Sequence, residues 1–341
     1  MTETDPVAAG AVNPTLVDKV PEAPPRSQWA DVWRQFRSHK GALFGACFFL
    51  FIIFAVFVGP LIWTLDPEYS FIRERNTRHI FACTSLPWGE VWSCFTNPAE
   101  SGLKVSWAHP LGTDATGKDI LARMLTGGQT SIAVGLTAML LALFLGTLVG
   151  VLAGFFRVLD GILMRLTDLF LALPVLPLLL VMVTLFQQSL KNMFGTEQGI
   201  FILIVVAIGV TSWMPTARIV RGDVLAIKER EFVLAARSIG TRNAALILRH
   251  ILPNIMSPIM VSATLGIANA IITESALSFL GLGFPPDFPT WGRLLNDGVQ
   301  YLQQFPERVI WPGMAISLVV LSINYMGDGL RDALDPRIRG R

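Results

Sequence analysis

Charge is scarce in this chain. Lys, Arg, Asp and Glu make up 15% of its 341 residues, where soluble domains carry about a quarter. That shortage, with 52% hydrophobic residues and a mean hydropathy of +0.54, argues against an ordinary water-soluble enzyme. The net charge of +2 supplies no basic field, so no nucleic-acid partner is expected. The four histidines, His39, His79, His109 and His250, are scattered, and the three cysteines match no four-ligand spacing, so no metal centre is expected. Nor is there a clustered nucleophile and base of the kind a membrane-embedded enzyme needs. Residues 1–26 are rich in Pro, Ala and Glu and hold neither an apolar core nor a cleavage pattern. They are expected to be a disordered tail, with the first apolar run retained as an anchor.

A working phosphate loop is also missing. Gly112–Asp119 fits G-x-x-x-x-G-K but ends in Asp119, where a hydroxyl is needed for Mg²⁺. Asp114 and Asp119 would repel phosphate oxygens. The stretch is expected to be a Gly-rich turn leading into a short helix, Ile120–Leu125. Any dependence on ATP must therefore come from a partner.

What the chain has in abundance is apolar length. Six runs can each cross about 30 Å of hydrocarbon: Ala42–Ile62, Ser131–Phe155, Leu166–Phe186, Gly199–Met214, Ile255–Leu282 and Ile310–Leu330. An all-α integral membrane protein with six transmembrane helices follows. If both termini face the cytoplasm, eighteen of the 27 Lys and Arg lie inside. Six of the nine outside fall in the long 63–130 segment, which counts little in the positive-inside rule. The resulting division is a tail with an interfacial helix (1–41), a first span (42–62), an outer insert (63–130), a core (131–330) holding an inner loop (218–254), and an inner tail (331–341). Within Ser27–Lys40, Trp29, Trp33 and Phe36 fall at helical spacing among Arg34, Arg37, His39 and Lys40, the pattern of a helix lying on membrane lipid.

Several residues stand out against this background. Cys47, inside an apolar run, reads as a small buried hydrophobe. Cys83 and Cys94 could pair if the insert faces an oxidising compartment, contributing about 3 kcal/mol in the chain-entropy model. Glu274 interrupts the fifth run, where an ionisable group costs about 2.5–3.5 kcal/mol at mid-bilayer. It is expected to face a cavity or a helix seam as a pore or gate residue, with Asn269, Thr273 and Ser275 as polar neighbours. The alternative is a hinge near the outer surface. Asp160, Arg165 and Asp168 are expected at the inner interface, and Pro174 and Pro177 should kink the third span.

The inner loop has the most regular pattern. Arg230–Gly240 reads as a short helix, with Gly240 as a left-handed cap at its end. Thr241 or Asn243 can cap a second, Ala244–His250, ending before Pro253. Ala235, Ala236 and Gly240 leave little bulk at the turn, so another protein could approach the backbone there, flanked by Arg237 and Arg242. The plain alternative is an amphipathic surface helix pair.

Ala235-Ala236-x-x-x-Gly240 followed by Leu252-Pro253 resembles the EAA loop of ABC-importer permeases, and residues 230–254 resemble the dipeptide/oligopeptide/nickel branch. Leu111-Gly112-Thr113-Asp114, Glu274-x-x-Leu277-x-Phe279-Leu280-Gly281, Pro286-x-x-Pro289-x-Trp291-Gly292 and the 327–337 segment are similar to further signatures of that branch, in its order. Leu234 departs from the pattern, standing where the motif most often has Glu, with Glu231 three residues earlier. His250 departs likewise from the usual Ile.

The resemblance implies a type I ABC importer permease fold in a bacterial inner membrane, with a cytoplasmic coupling helix. Its partners would be a second homologous permease, two ATPase subunits that bind ATP and Mg, and an extracytoplasmic solute-binding protein. It implies no catalysis and no cofactor in this chain, and assigns Glu231, Ala235, Ala236 and Gly240 to the ATPase contact, with Arg237 and Arg242 beside them. Dipeptides or oligopeptides are the expected solutes; nickel chelates or other small solutes are alternatives within the branch. A stand-alone secondary transporter would need several buried charges or paired broken helices in related halves.

Overall fold

Apolar segments in lipid must satisfy every backbone group internally, which leaves helices as the solution for runs like these. The structure, a computed structural model, describes residues 28–98 and 102–334, so the expectations for 1–26 and for the end of the inner tail fall outside the described residues. Among the described residues there is no strand, only the bridges Arg78–Val105 and Thr113–Asp119 in the outer insert. The helices are α1 (Gln28–Ser38), α2 (Lys40–Ile62), α3 (Trp88–Thr96), α4 (Ile120–Phe155), α5 (Arg157–Ala172), α6 (Val175–Phe194), α7 (Thr196–Ser212), α8 (Met214–Ile227), α9 (Glu231–Ser238), α10 (Asn243–Ala245), α11 (Met256–Phe279), α12 (Trp291–Val299) and α13 (Glu307–Leu334). Five apolar helices are long enough to cross a membrane, and α7 with α8, bent by 43° at Trp213, makes a sixth if taken as one span.

Several boundaries differ from expectation for local reasons. The second span starts eleven residues early: Ile120–Leu125 is the first turn and a half of α4 itself. Asp119 caps it, its carboxylate accepting from the Ala122 N–H at 2.6 Å. The outer insert therefore ends at Asp119. The third span, expected as Leu166–Phe186, is divided at Leu173. Pro174 forces that residue into an extended conformation, and the chain restarts as α6. The inner stretch 218–227 is helical, as the end of α8. α12 follows the Pro-rich 285–289 loop and begins at a Thr290 cap whose hydroxyl accepts from Arg293 N–H at 3.1 Å.

α4 is the central pillar, packed by α8, α7, α11 and α2. Val134 and Ala138 of α4 join Ile200, Ile204 and Ile208 of α7 and Leu277 of α11 in the largest buried cluster. Along α8, the approach is set by Gly146, Gly150 and Gly154, one per turn of α4. A Cβ on Gly150 would stand 2.6 Å from the Ala217 carbonyl and 2.7 Å from Val220 Cβ. Small residues at this spacing let membrane helices meet backbone to backbone. α1 packs against α13 as well as α2. Cys47 is exposed on the outward side of α2, correcting its expected burial. In a lipid-embedded helix, an apolar surroundings does not imply an interior position.

Candidate functional site

At its C-terminal end, α8 passes into α9 through a turn held by Lys228, whose ammonium donates to the Gly154 carbonyl at 2.9 Å. Val233 and Ala236 of α9 are buried with Leu246 against Phe155 of α4 and Ile227 of α8. The other side of α9 presents Glu231, Phe232, Leu234 and Ala235, and Ile239 just beyond it is 84% exposed. Gly240 closes the helix with φ +83°. Its N–H reaches Arg237 O (3.0 Å) and the Thr241 N–H reaches Ala236 O (3.2 Å), the paired bonds of a left-handed helix stop. Nothing lies within 4 Å of a Cβ placed on Gly240, so the turn is open to an approaching surface.

The structure brings Glu231, Ala235, Gly240, Arg237 and Arg242 to this exposed elbow, while Ala236 is turned into the core. Arg237 also lies 5.8 Å over the Phe155 ring. The second short helix, expected as Ala244–His250, begins at Asn243 with Arg242 as its cap residue and no side-chain cap bond. It does not stop before Pro253. It widens into a π-turn over Leu246–Ile251, tightens to 3₁₀ over Leu252–Ile255 and continues into α11. A proline without an N–H is accommodated by changing the hydrogen-bond ladder around it.

Glu274 occupies a different place, in the C-terminal half of α11, and it is fully buried. Its carboxylate accepts from Ser278 Oγ at 2.7 Å and lies 3.5 Å from Ser275 Oγ, with the Ser131 and Thr290 hydroxyls also turned to it. Ser131 Oγ in turn accepts from the Trp291 N–H at 3.3 Å. The site is thus a polar knot joining α11, α4 and the start of α12. Two expected neighbours are corrected: Thr273 donates to its own helix at Asn269 O, and Asn269 is exposed on another side of α11. Ser278, one turn on, is the residue that sequence reasoning missed.

With this geometry in place, the chain's relatives are informative. The model of the binding-protein-dependent transport system inner membrane component matches residues 142–340, and that of the N-terminal transmembrane domain of oligopeptide transport permease C matches residues 27–79. The chain belongs to the binding-protein-dependent transport permeases. A dipeptide transport system permease protein, DppC, of Alkalihalophilus pseudofirmus is 35% identical over 333 residues, 95% of this chain and 97% of the relative. The oligopeptide transport system permease protein OppC of Bacillus subtilis is 34% identical over 338 residues, 98% and 97% of the two chains. A di/tripeptide transport system permease protein, DppC, of Pseudomonas aeruginosa is 36% identical over 310 residues, 91% and 92%. The fold is accordingly that of a type I ABC importer permease.

The permease's look-alike phosphate loop is closed by its own acids. Asp114 Oδ1 accepts from the N–H groups of Thr116 (2.8 Å) and Lys118 (2.9 Å), and Asp119 accepts from the Ala122 N–H in the first turn of α4. The donors that would cradle phosphate are already occupied by carboxylates. In the same outer insert, Cys83 and Cys94 form a disulfide with a Cα–Cα distance of 5.7 Å, inside a small core with Ile80 and Val105. The insert grips the spans through Arg308 of α13, which donates to Asn76 Oδ1 (2.9 Å) and Thr113 O (2.7 Å). Beside it, burial pushes the His79 imidazole below its ordinary value, opposed in part by Glu307.

Proposed function

We propose that this chain forms half of the solute pathway of an ATP-driven peptide importer and takes its driving force through the α9–Gly240 elbow. A permease without a fuel-binding loop responds only to differential binding energy supplied by partners. The observation that carries the reading is the elbow itself: an open, small-residue turn on a helix whose inner side is packed onto α4 and α8. A displacement of α9 by an ATPase groove is passed through Val233 and Leu246 to Phe155 and Ile227, and so to α4 and α8, which pack together along much of their length. Glu231, Ala235, Gly240, Arg237 and Arg242 are the ATPase-facing residues of this scheme. Two ATPases that bind ATP and Mg, a second permease and an outer solute-binding protein complete it.

The elbow and both termini lie on the cytoplasmic side in this reading, and the disulfide-bearing insert on the oxidising side, in agreement with compartment chemistry. Short peptides are the solute because the similar permeases carry dipeptide and oligopeptide names. Glu274 with Ser275 acts at the outer seam, where α11 meets α4 and α12, and holds the outer gate's helices in register. Asn269 serves on the exposed side of α11.

The test is uptake of a labelled dipeptide into liposomes holding the complete importer. Uptake that needs ATP, the binding protein and this chain together is expected. Uptake that continues without ATPase subunits, driven by an ion gradient, would refute it.

A further inference from the structure

Where the outer insert meets the first turns of α4 and α13, a cavity of about 280 Å³ gathers charge in its wall. It lies at the end of α4 remote from the elbow: Ile120 and Arg123 open that helix, and Phe155 at its other end packs beside α9. Of the three cations in the wall, two are paired. Lys118 Nζ stands 3.2 Å from Asp287 Oδ1, and Arg123 reaches Asp114 at 2.9 Å and Asp297 at 3.2 Å. Asp297 holds Arg293 as well, at 3.0 Å. Every aspartate of the wall is thereby committed.

Arg308, the third cation, is only 5% exposed. Its Nη2 donates to two neutral oxygens, Asn76 Oδ1 and Thr113 O, and its guanidinium lies 4.2 Å from the Phe305 ring and 5.2 Å from that of Tyr301. Among the described residues, Nη1 has no hydrogen-bond partner and no carboxylate forms an ion pair with the side chain. Rings and neutral oxygens offset only part of the cost of burying a cation. The unmet requirement is one negative charge at Nη1. The rest of the wall restricts what can supply it. Three aspartates repel a dianion such as sulfate, and since each already holds a cation, none is left for the ammonium of a zwitterion. Ile120, Leu294 and Pro312 add apolar surface, and the volume falls near the lower bound of about 300 Å³ for small-molecule sites.

We propose that this cavity binds a small organic monocarboxylate with an apolar body. Its carboxylate accepts from Arg308 Nη1 in a charge-assisted hydrogen bond, and its body rests on Ile120, Leu294 and Pro312. The bound acid then joins the 114–118 turn to α12 and α13 and clasps the insert onto the spans. The site uses contacts within this chain alone, so it stands independently of the importer reading.

The test is saturation-transfer NMR with isobutyrate as probe. The protein is the full-length chain, with the subunits that copurify with it, in nanodiscs; empty nanodiscs are the blank. Isobutyrate should receive saturation from the protein, and excess isobutyramide, alanine or sulfate should fail to displace it. Two variants locate the site. Arg308→Gln keeps a donor for Asn76 and Thr113 but removes the charge, while Ala115→Trp fills the cavity from its partly exposed turn and leaves Arg308 in place. Each should weaken isobutyrate by about tenfold or more, the scale of a hydrogen bond to a charged group. If Arg308→Gln fails to insert, Ala115→Trp decides alone. No transfer beyond that of empty nanodiscs overturns the proposal. Transfer that survives the substitutions means an adventitious additive only and overturns it too. Displacement by isobutyramide, alanine or sulfate overturns the assignment of a monocarboxylate.

Discussion

Gly150→Ala probes the close approach of α4 and α8. The new methyl carbon would stand 2.6 Å from the Ala217 carbonyl oxygen and 2.7 and 2.8 Å from Val220 Cβ and Cγ1. A relaxed C···O contact lies near 3.3 Å, so α4 and α8 must part locally by roughly 0.7 Å. The obstacle is backbone and a β-branched side chain, neither of which can swing aside. Overpacking of this kind costs about 1–3 kcal/mol, while exchanging glycine for alanine within a helix returns up to about 1 kcal/mol. The net effect is a loss of about 1–2 kcal/mol. At ~2–4 °C per kcal/mol for a chain of this size class, the melting temperature of the detergent-solubilised complex should fall by several degrees. Gly222→Ala is the control: it sits on the same α8 with open space around it and should leave stability unchanged or raise it. If Gly150→Ala melts as high as Gly222→Ala, then α4 and α8 do not approach through these glycines, and the path proposed from elbow to span loses its stiff element.

Three further outcomes follow from other sites. Glu274→Leu strands the hydroxyls of Ser278, Ser131 and Thr290 in a buried seam and should cost about 1–3 kcal/mol by thermal melting. Glu274→Gln keeps their acceptor and should recover most of that loss; equal damage from both would refute the hydrogen-bonded seam. Replacing Cys83 and Cys94 together by Ser should loosen the insert by about 3 kcal/mol in the entropy model, read as faster proteolysis of residues 72–96 in intact proteoliposomes; an unchanged rate would refute it. The depressed His79 sets a sign with pH. The unfolded insert takes up a proton near the ordinary histidine value before the folded one does, so stability is lost as pH falls from that value toward the folded one. Protease sensitivity of the insert should therefore rise between pH 7.5 and 5, and rise less in His79→Gln.

Hydropathy alone placed apolar helix in each of the six runs, because apolar length is a one-dimensional property, although Leu166–Phe186 is divided at Leu173. The left-handed stop at Gly240 was readable for a similar reason, since the conformation is dictated by one residue type. What was missed depended on neighbours distant in sequence. Ile120–Leu125 reads as a short helix of its own until Arg123 is seen to pair with Asp114 and Asp297, tying the first turns of α4 to the insert and to α12. Two signals were available and unused. Gly146, Gly150 and Gly154 form a small-residue repeat at four-residue spacing, and Ser278 stands one helical turn from Glu274 on the same side of α11, which Asn269 and Thr273 do not.

The account depends most on the elbow as the place where work enters. Gly240→Glu puts a charged side chain on an open left-handed turn, where it crowds any docked surface without touching this chain's own core. In membranes containing the assembled importer, the variant should be inserted at normal level yet show neither ATP-driven dipeptide uptake nor ATPase stimulation by the loaded binding protein. Uptake at the parental rate would contradict the claim that this turn is the coupling contact.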